Sequence, residues 1–154
     1  MTSSGRIFSI NTSRVKGVPK TPVSEGTLIV GHGLEGDAHA GAALREVSLL
    51  SIEGIRTQKE CERIKSKTIA LKEGDFAENI TTEDVDLSRL KIGSTIKIGN
   101  EVILEVTKIG KECHKYCQIY YNIGSCIMPK QGIFAGVIKG GIIKKGDTIA
   151  VHND

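Results

Sequence analysis

The sequence predicts a mainly β (α+β) protein: a compact, mostly antiparallel β-barrel with one or two short helices. Three observations predict it. Glycine supplies 18 of 154 residues, about 12% against a usual ~7%. Proline is scarce, at three, so the excess glycine points to tight turns. Short β-branched runs lie between those turns, and few stretches have a helical period. Short strands between frequent Gly turns are the pattern of a small barrel.

Each element has a local reason. Arg6 to Asn11, carrying Ile7, Phe8 and Ile10, reads as the opening strand. Residues 12–26 contain Pro19 and Pro22 and read as a long surface loop. Thr27 to Val30 is a β-branched run ending at Gly31, and Val47 to Leu50 is a short apolar one. Ser51 to Lys65 is the best helix, with Ile52, Ile55, Cys61 and Ile64 near one face. Ser51 can serve as its N-cap. Thr95 to Ile98 and Val102 to Thr107 flank Gly99-Asn100, a hairpin signal. A three-residue loop sets Ile98 opposite Val102 and Ile96 opposite Leu104, which keeps one face apolar; a two-residue loop mixes the faces. Ile133 to Ile138, between Gly132 and Gly140-Gly141, reads as a short amphipathic helical piece. Gly140 to Asp147 reads as turn, strand and turn, and Thr148 to Val151 as the closing strand.

Length and charge narrow the function. A chain of 154 residues suits a single domain spanning 1–154. Net charge is +3, from 21 basic and 18 acidic residues. That balance is wrong for a duplex-DNA footprint. Aromatics at 4%, without Trp, disfavour a base-stacking platform. No apolar run reads as a signal peptide or a membrane span, so a cytoplasmic protein with reduced thiols is expected.

Three clusters can carry chemistry. The first is Gly31 to Gly41 followed by Arg45. Its glycines let backbone N–H groups approach an anion. In an extended segment Asp37 and His39 point the same way, and Arg45 is a planar bidentate donor for phosphate or an oxo-anion. The plainer reading is an Asx turn at Asp37 with His39 exposed. The second cluster is Gly74 to Ile80, in which Asn79 both donates and accepts and suits a ligand's polar edge; equally, Glu78 and Asn79 tie down a loop. The third is Lys111 to Ile119, with Cys126 beyond. Lys111, His114 and Lys115 surround Cys117 with positive charge, which raises its thiolate fraction. A zinc site on Cys113, His114, Cys117 and Cys126 is a weaker reading, because structural zinc commonly shows two paired Cys knuckles.

In this order the motifs resemble the MOSC domain family, named for the C-terminal domain of molybdenum cofactor sulfurase. The carrying residues are Gly33-Leu34-Glu35-Gly36-Asp37-Ala38-His39-Ala40-Gly41, Arg45 to Leu50, Gly74-Asp75-Phe76-Ala77-Glu78-Asn79-Ile80-Thr81, Leu90 to Gly93, Cys117-Gln118-Ile119 and Gly141 to Asp147. The match covers roughly residues 20–151. The chain looks like the small stand-alone bacterial form.

The resemblance implies a β-barrel that binds the molybdenum cofactor or handles sulfur for it. It implies Cys117 as the reactive group, carrying sulfane sulfur as a persulfide or binding the molybdenum, with Cys113 in reserve. Asp37, His39, Arg45, Asn79 and Lys111 would join Cys117 around the pyranopterin, the Gly36–Gly41 N–H groups adding to the anion field. A cysteine desulfurase or a molybdoenzyme would be the partner; no DNA and no membrane are expected. Many stand-alone relatives carry a Trp-His pair before the Arg, where this chain has Ala42-Ala43-Leu44, so that wall differs. The sulfurase's pyridoxal-phosphate domain does not fit here, and pyridoxal phosphate is not expected to bind. Alternative readings are a non-catalytic cofactor carrier, a molybdenum-dependent reductase of N-hydroxylated compounds, a zinc-stabilised barrel and an RNA-binding barrel.

Overall fold

The structure, a computed structural model, describes residues 2–16, 18–41, 46–58, 73–110 and 132–152. Strands β1 (Thr2–Thr12), β2 (Thr21–Val23), β3 (Glu25–Ile29), β4 (Gly33–Leu34) and β5 (Val47–Ser51) come first. Helix α1 (Ile52–Gln58) follows, then β6 (Ile80–Glu83) and a 3₁₀ turn at Leu87–Arg89. The chain closes with β7 (Thr95–Ile98), β8 (Val102–Ile109), β9 (Ile133–Lys139), β10 (Gly141–Lys144) and β11 (Thr148–His152).

Among the described residues, seven strands close into a barrel in the order β11-β7-β8-β9-β5-β6-β1, and β1 pairs back onto β11. Strand β2 extends this sheet beyond β1, and β10-β3-β4 form a second small sheet. The ladders are antiparallel except β5–β6, which run parallel, so the chain between them must cross over. Inward residues such as Ile7, Ile10, Leu49, Ile80, Ile96, Leu104 and Ile149 fill the interior. No described helix is long and apolar enough to cross a membrane.

The β7–β8 hairpin takes the face-preserving register, with Ile98 opposite Val102 and Ile96 opposite Leu104. Ser51 caps α1, its hydroxyl accepting the Gly54 N–H at 3.0 Å. Ile52 and Ile55 of α1 are buried where the helix packs on β5 and β6. The helix is described to Gln58, and the expected continuation toward Lys65 lies outside the described residues.

Two expectations are corrected. Ile133 to Ile138 is not helical but most of β9, paired with both β5 and β8. Residues 133–137 are all buried, and a strand covered on both faces loses the alternation that would identify it. Residues 12–26 are not one loop, because β2 and the start of β3 lie within them. Pro22 is tolerated because β2 is an edge strand with one partner, β1.

Candidate functional site

Lys20, which no motif singled out, lies at the centre of the most unusual cluster among the described residues. Its ammonium is fully buried and donates to Asp37 Oδ1 at 2.8 Å, with both side chains at 0% exposure. It also lies 3.0 Å from His39 Nδ1 and 3.2 Å from Ser13 Oγ. An ammonium only donates, so His39 Nδ1 accepts. The ring is then neutral, with its hydrogen on Nε2. His39 remains partly exposed, at 18% of its side chain.

Asp37 organises the turn after β4. Its Oδ2 accepts the His39 N–H at 3.1 Å, an Asx turn, and its Oδ1 accepts the Ser13 N–H at 3.1 Å. Burial alone pushes the Asp37 carboxyl up, but the Lys20 ammonium, the Asn79 amide and the Ser13 N–H outweigh it and hold it below the ordinary carboxylate value. Asp37 and His39 therefore converge through a turn and a shared lysine, and not through an extended segment.

The backbone N–H groups of this turn are engaged within the protein. Asp37 donates to the Leu34 carbonyl, Ala38 to Ser13, Ala40 to Asp37 and Gly41 to His32, while His39 donates to the Asp37 carboxylate. The expectation that the Gly36–Gly41 N–H groups face an anion is thus overturned for residues 37–41. Gly36 and Gly41, at φ of +83° and +82°, serve the backbone path of the turn.

The loop before β6 backs this cluster. Asn79 is fully buried, and its Oδ1 accepts from the Ser48 N–H at 3.0 Å and the Ser48 hydroxyl at 3.2 Å. Its Nδ2 donates to the Asn11 carbonyl at 3.3 Å. The amide thus ties β5, β6 and β1 together, which is the loop-tying role open to it from sequence. The Lys20 N–H donates to the Gly74 carbonyl at 2.7 Å, so the loop also holds the lysine's backbone.

The structure brings Asp37 and His39 to Lys20 and sets Asn79 against Asp37. Arg45, Lys111 and Cys117 lie outside the described residues, as do Cys61, Cys113, His114 and Cys126. Exposed Arg14 and Lys16 follow Ser13 and add positive charge near the cluster. No local signal marked Lys20, since its partners Asp37 and His39 lie 17 and 19 residues away.

Comparison with known proteins places this geometry in context. A family model for the MOSC domain matches residues 36–150. YuaD protein from Bacillus subtilis superposes with a TM-score of 0.78 at 19% identity, covering 100% of this chain and 98% of that one. YiiM from Geobacillus stearothermophilus gives 0.71 at 17% identity, over 96% and 75% of the two chains. YiiM from Escherichia coli gives 0.69 at 17%, over 100% and 71%. Comparison with curated proteins gives no match.

Proposed function

The chain belongs to the MOSC domain family, and from that premise we propose that it binds the molybdenum cofactor on the face where His39 reaches the surface. The family as a whole is related to that cofactor. One observation carries the reading: a fully buried, charge-balanced Lys20–Asp37 pair holds His39 in one orientation. Burying an ion pair adds little stability, because desolvation offsets the attraction. A protein that nevertheless buries one beside a partly exposed histidine is organised for positioning.

The side chains on this face suit an anionic pyranopterin. His39 is held partly exposed beside the buried pair, and Arg14 and Lys16 supply exposed positive charge nearby. Lys20 is neutralised by Asp37, so it orients His39 and does not itself face the anion. Asn79, with its amide engaged by Ser48, Asn11 and Asp37, keeps the strands beneath in place. Arg45 and Lys111 would clamp the phosphate and oxo groups. When bound, the cofactor would supply a molybdenum centre able to exchange an oxygen or sulfur atom with a substrate.

Cys117 is the residue assigned to sulfur. Its thiolate would attack the outer sulfur of a donor persulfide on a cysteine desulfurase. A sulfur–sulfur bond forms at Cys117, the donor's bond breaks, and the donor leaves as a thiolate. Mixing the full chain with released molybdenum cofactor tests both parts. Co-migrating molybdenum that is lost in His39→Ala supports the binding face. A persulfide seen by intact mass on the wild type and absent from Cys117→Ser supports sulfur carriage. If Cys117→Ser keeps both the cofactor and the sulfane sulfur, the chain is a carrier without sulfur chemistry.

A further inference from the structure

Glu78 is a buried carboxyl group for which cofactor contact provides no use. It is 0% exposed, and its Oε2 accepts the Gly74 N–H at 3.0 Å and the Thr81 hydroxyl at 2.7 Å. Among the described residues its buried Oε1 has no hydrogen-bond partner of good geometry, although the Phe76 and Glu78 N–H groups lie close enough to favour the charged form. A one-way chain of donors converges on this group: the Ser9 hydroxyl donates to Asn11 Oδ1 at 2.7 Å, and Asn11 Nδ2 donates to Thr81 Oγ1 at 3.0 Å. The Thr81 hydroxyl, having accepted from Asn11, donates to Glu78. Isoleucine or leucine would satisfy packing here without leaving an oxygen stranded.

The side of Glu78 that faces Gly74 leads to the site. Gly74 has φ of +87° and lies against the Lys20 backbone so closely that an added Cβ would sit 2.3 Å from the Lys20 carbonyl oxygen. The Gly74 carbonyl accepts the Lys20 N–H at 2.7 Å. Ala77, between Gly74 and Glu78, is held at φ of +65°, a conformation that persists only where its surroundings over-determine it. Its N–H donates to the Gly74 carbonyl at 3.0 Å. The turn is therefore pinned at both ends, by Glu78 and by Lys20.

We infer that Glu78 is a positioning residue: through Gly74 it sets the Lys20 backbone, and gain or loss of its proton is transmitted to the Lys20–Asp37–His39 cluster. The functional part of this inference rests on the cofactor-binding reading above; the coupling itself does not. The groups that meet Glu78 from β1, β6 and the turn are neutral: the Asn11 amide at its carbonyl, and the Thr81 hydroxyl with the Gly74, Phe76 and Glu78 N–H groups at its carboxylate. Among the described residues the ionisable side chains on its own loop are Glu73 and Asp75, and Lys20 lies beyond Gly74. Burial pushes the carboxyl up to about 7, so the switch would operate near neutral pH. Ionisation strengthens the Gly74 N–H bond, since charged acceptors bind more tightly.

The test follows backbone amides of the full chain by NMR as pH is varied. In the wild type, the Gly74 and Lys20 amides should shift together with one midpoint near 7. Glu78→Gln keeps an acceptor but cannot ionise, and should abolish the step at both amides while holding them near their low-pH wild-type positions. Thr81→Val removes a donor to the ionised form, and should raise the common midpoint by about one unit. Persistence of the step in Glu78→Gln, or a step at Gly74 that Lys20 does not share, overturns the inference. If Glu78→Gln does not fold, the Thr81→Val midpoint decides alone: a shared upward move supports the inference, and an unmoved Lys20 midpoint overturns it. Molybdenum-cofactor binding measured across the same pH range should share that midpoint. Absence of binding at every pH contradicts the cofactor reading while leaving the amide result to judge Glu78.

Discussion

Removing the Lys20 ammonium would strand the buried Asp37 carboxylate. Lys20→Met is therefore expected to cost about 3–5 kcal/mol, whereas Lys20→Met combined with Asp37→Asn, which is uncharged and still accepts through Oδ1, should recover part of that loss. Urea denaturation of the single and double variants checks this. The two buried carboxyls also give opposite pH dependences. Asp37 is held below its ordinary value, so its contribution is present above about pH 4 and is lost as pH falls through the folded value. Glu78 is raised from 4.5 to about 7, so the folded state favours the proton. Its contribution is present below about pH 4.5 and is lost as pH rises to about 7, on the order of 3 kcal/mol. Stability profiles of the wild type and Glu78→Gln should diverge over that window, with the variant flatter; parallel profiles would count against a raised Glu78. At this scale the sequence was only partly legible. Asp37 and His39 stood out because they sit among glycines. Lys20 did not, because one lysine near a proline carries no pattern and its role exists only once three separate segments meet.

The turns and strands position these residues, and their glycines differ in what they do. Gly33, at φ of +119°, has the Glu46 carbonyl oxygen 2.3 Å from where a Cβ would lie. Gly36, at φ of +83°, has nothing within 4 Å. Gly36→Ala should therefore cost only backbone strain, about 1–3 kcal/mol, while Gly33→Ala adds a backbone clash and should cost more. Thermal melts should rank the two variants in that order, with roughly 2–4 °C lost per kcal/mol. Reading elements from sequence worked where the period of two was intact. Ile96 and Ile98 face Leu104 and Val102, because a one-residue slip would turn apolar side chains to water. It failed at β9, where partners on both sides bury residues 133–137. The six residues from Ile133 to Ile138 are too few to separate the two periods. It also failed at β2, whose pairing with Ile10 to Thr12 of β1 is a tertiary fact invisible in Thr21-Pro22-Val23.

Closure makes one molecule of these parts. Strand β11 joins β1 on one side and β7 on the other, and Ile149 and Val151 of β11 are buried in the interior. Deleting residues 147–154 should open the barrel, expose the edges of β1 and β7 and abolish cooperative unfolding, as read by the loss of dispersed amide resonances. A barrel without free edges owes its stability to closure, so a truncated chain that still melts cooperatively would contradict this topology. The fold class was legible because glycine-punctuated strands have few ways to bury their apolar faces. The position of the site was less so, since it depends on which loops the closed barrel brings together around Lys20. The most direct measurement is the affinity of the full chain for molybdenum cofactor, wild type against His39→Ala, followed by bound molybdenum. The account predicts a loss of about tenfold or more, the scale of one charge-assisted hydrogen bond; equal binding by the two proteins would contradict it.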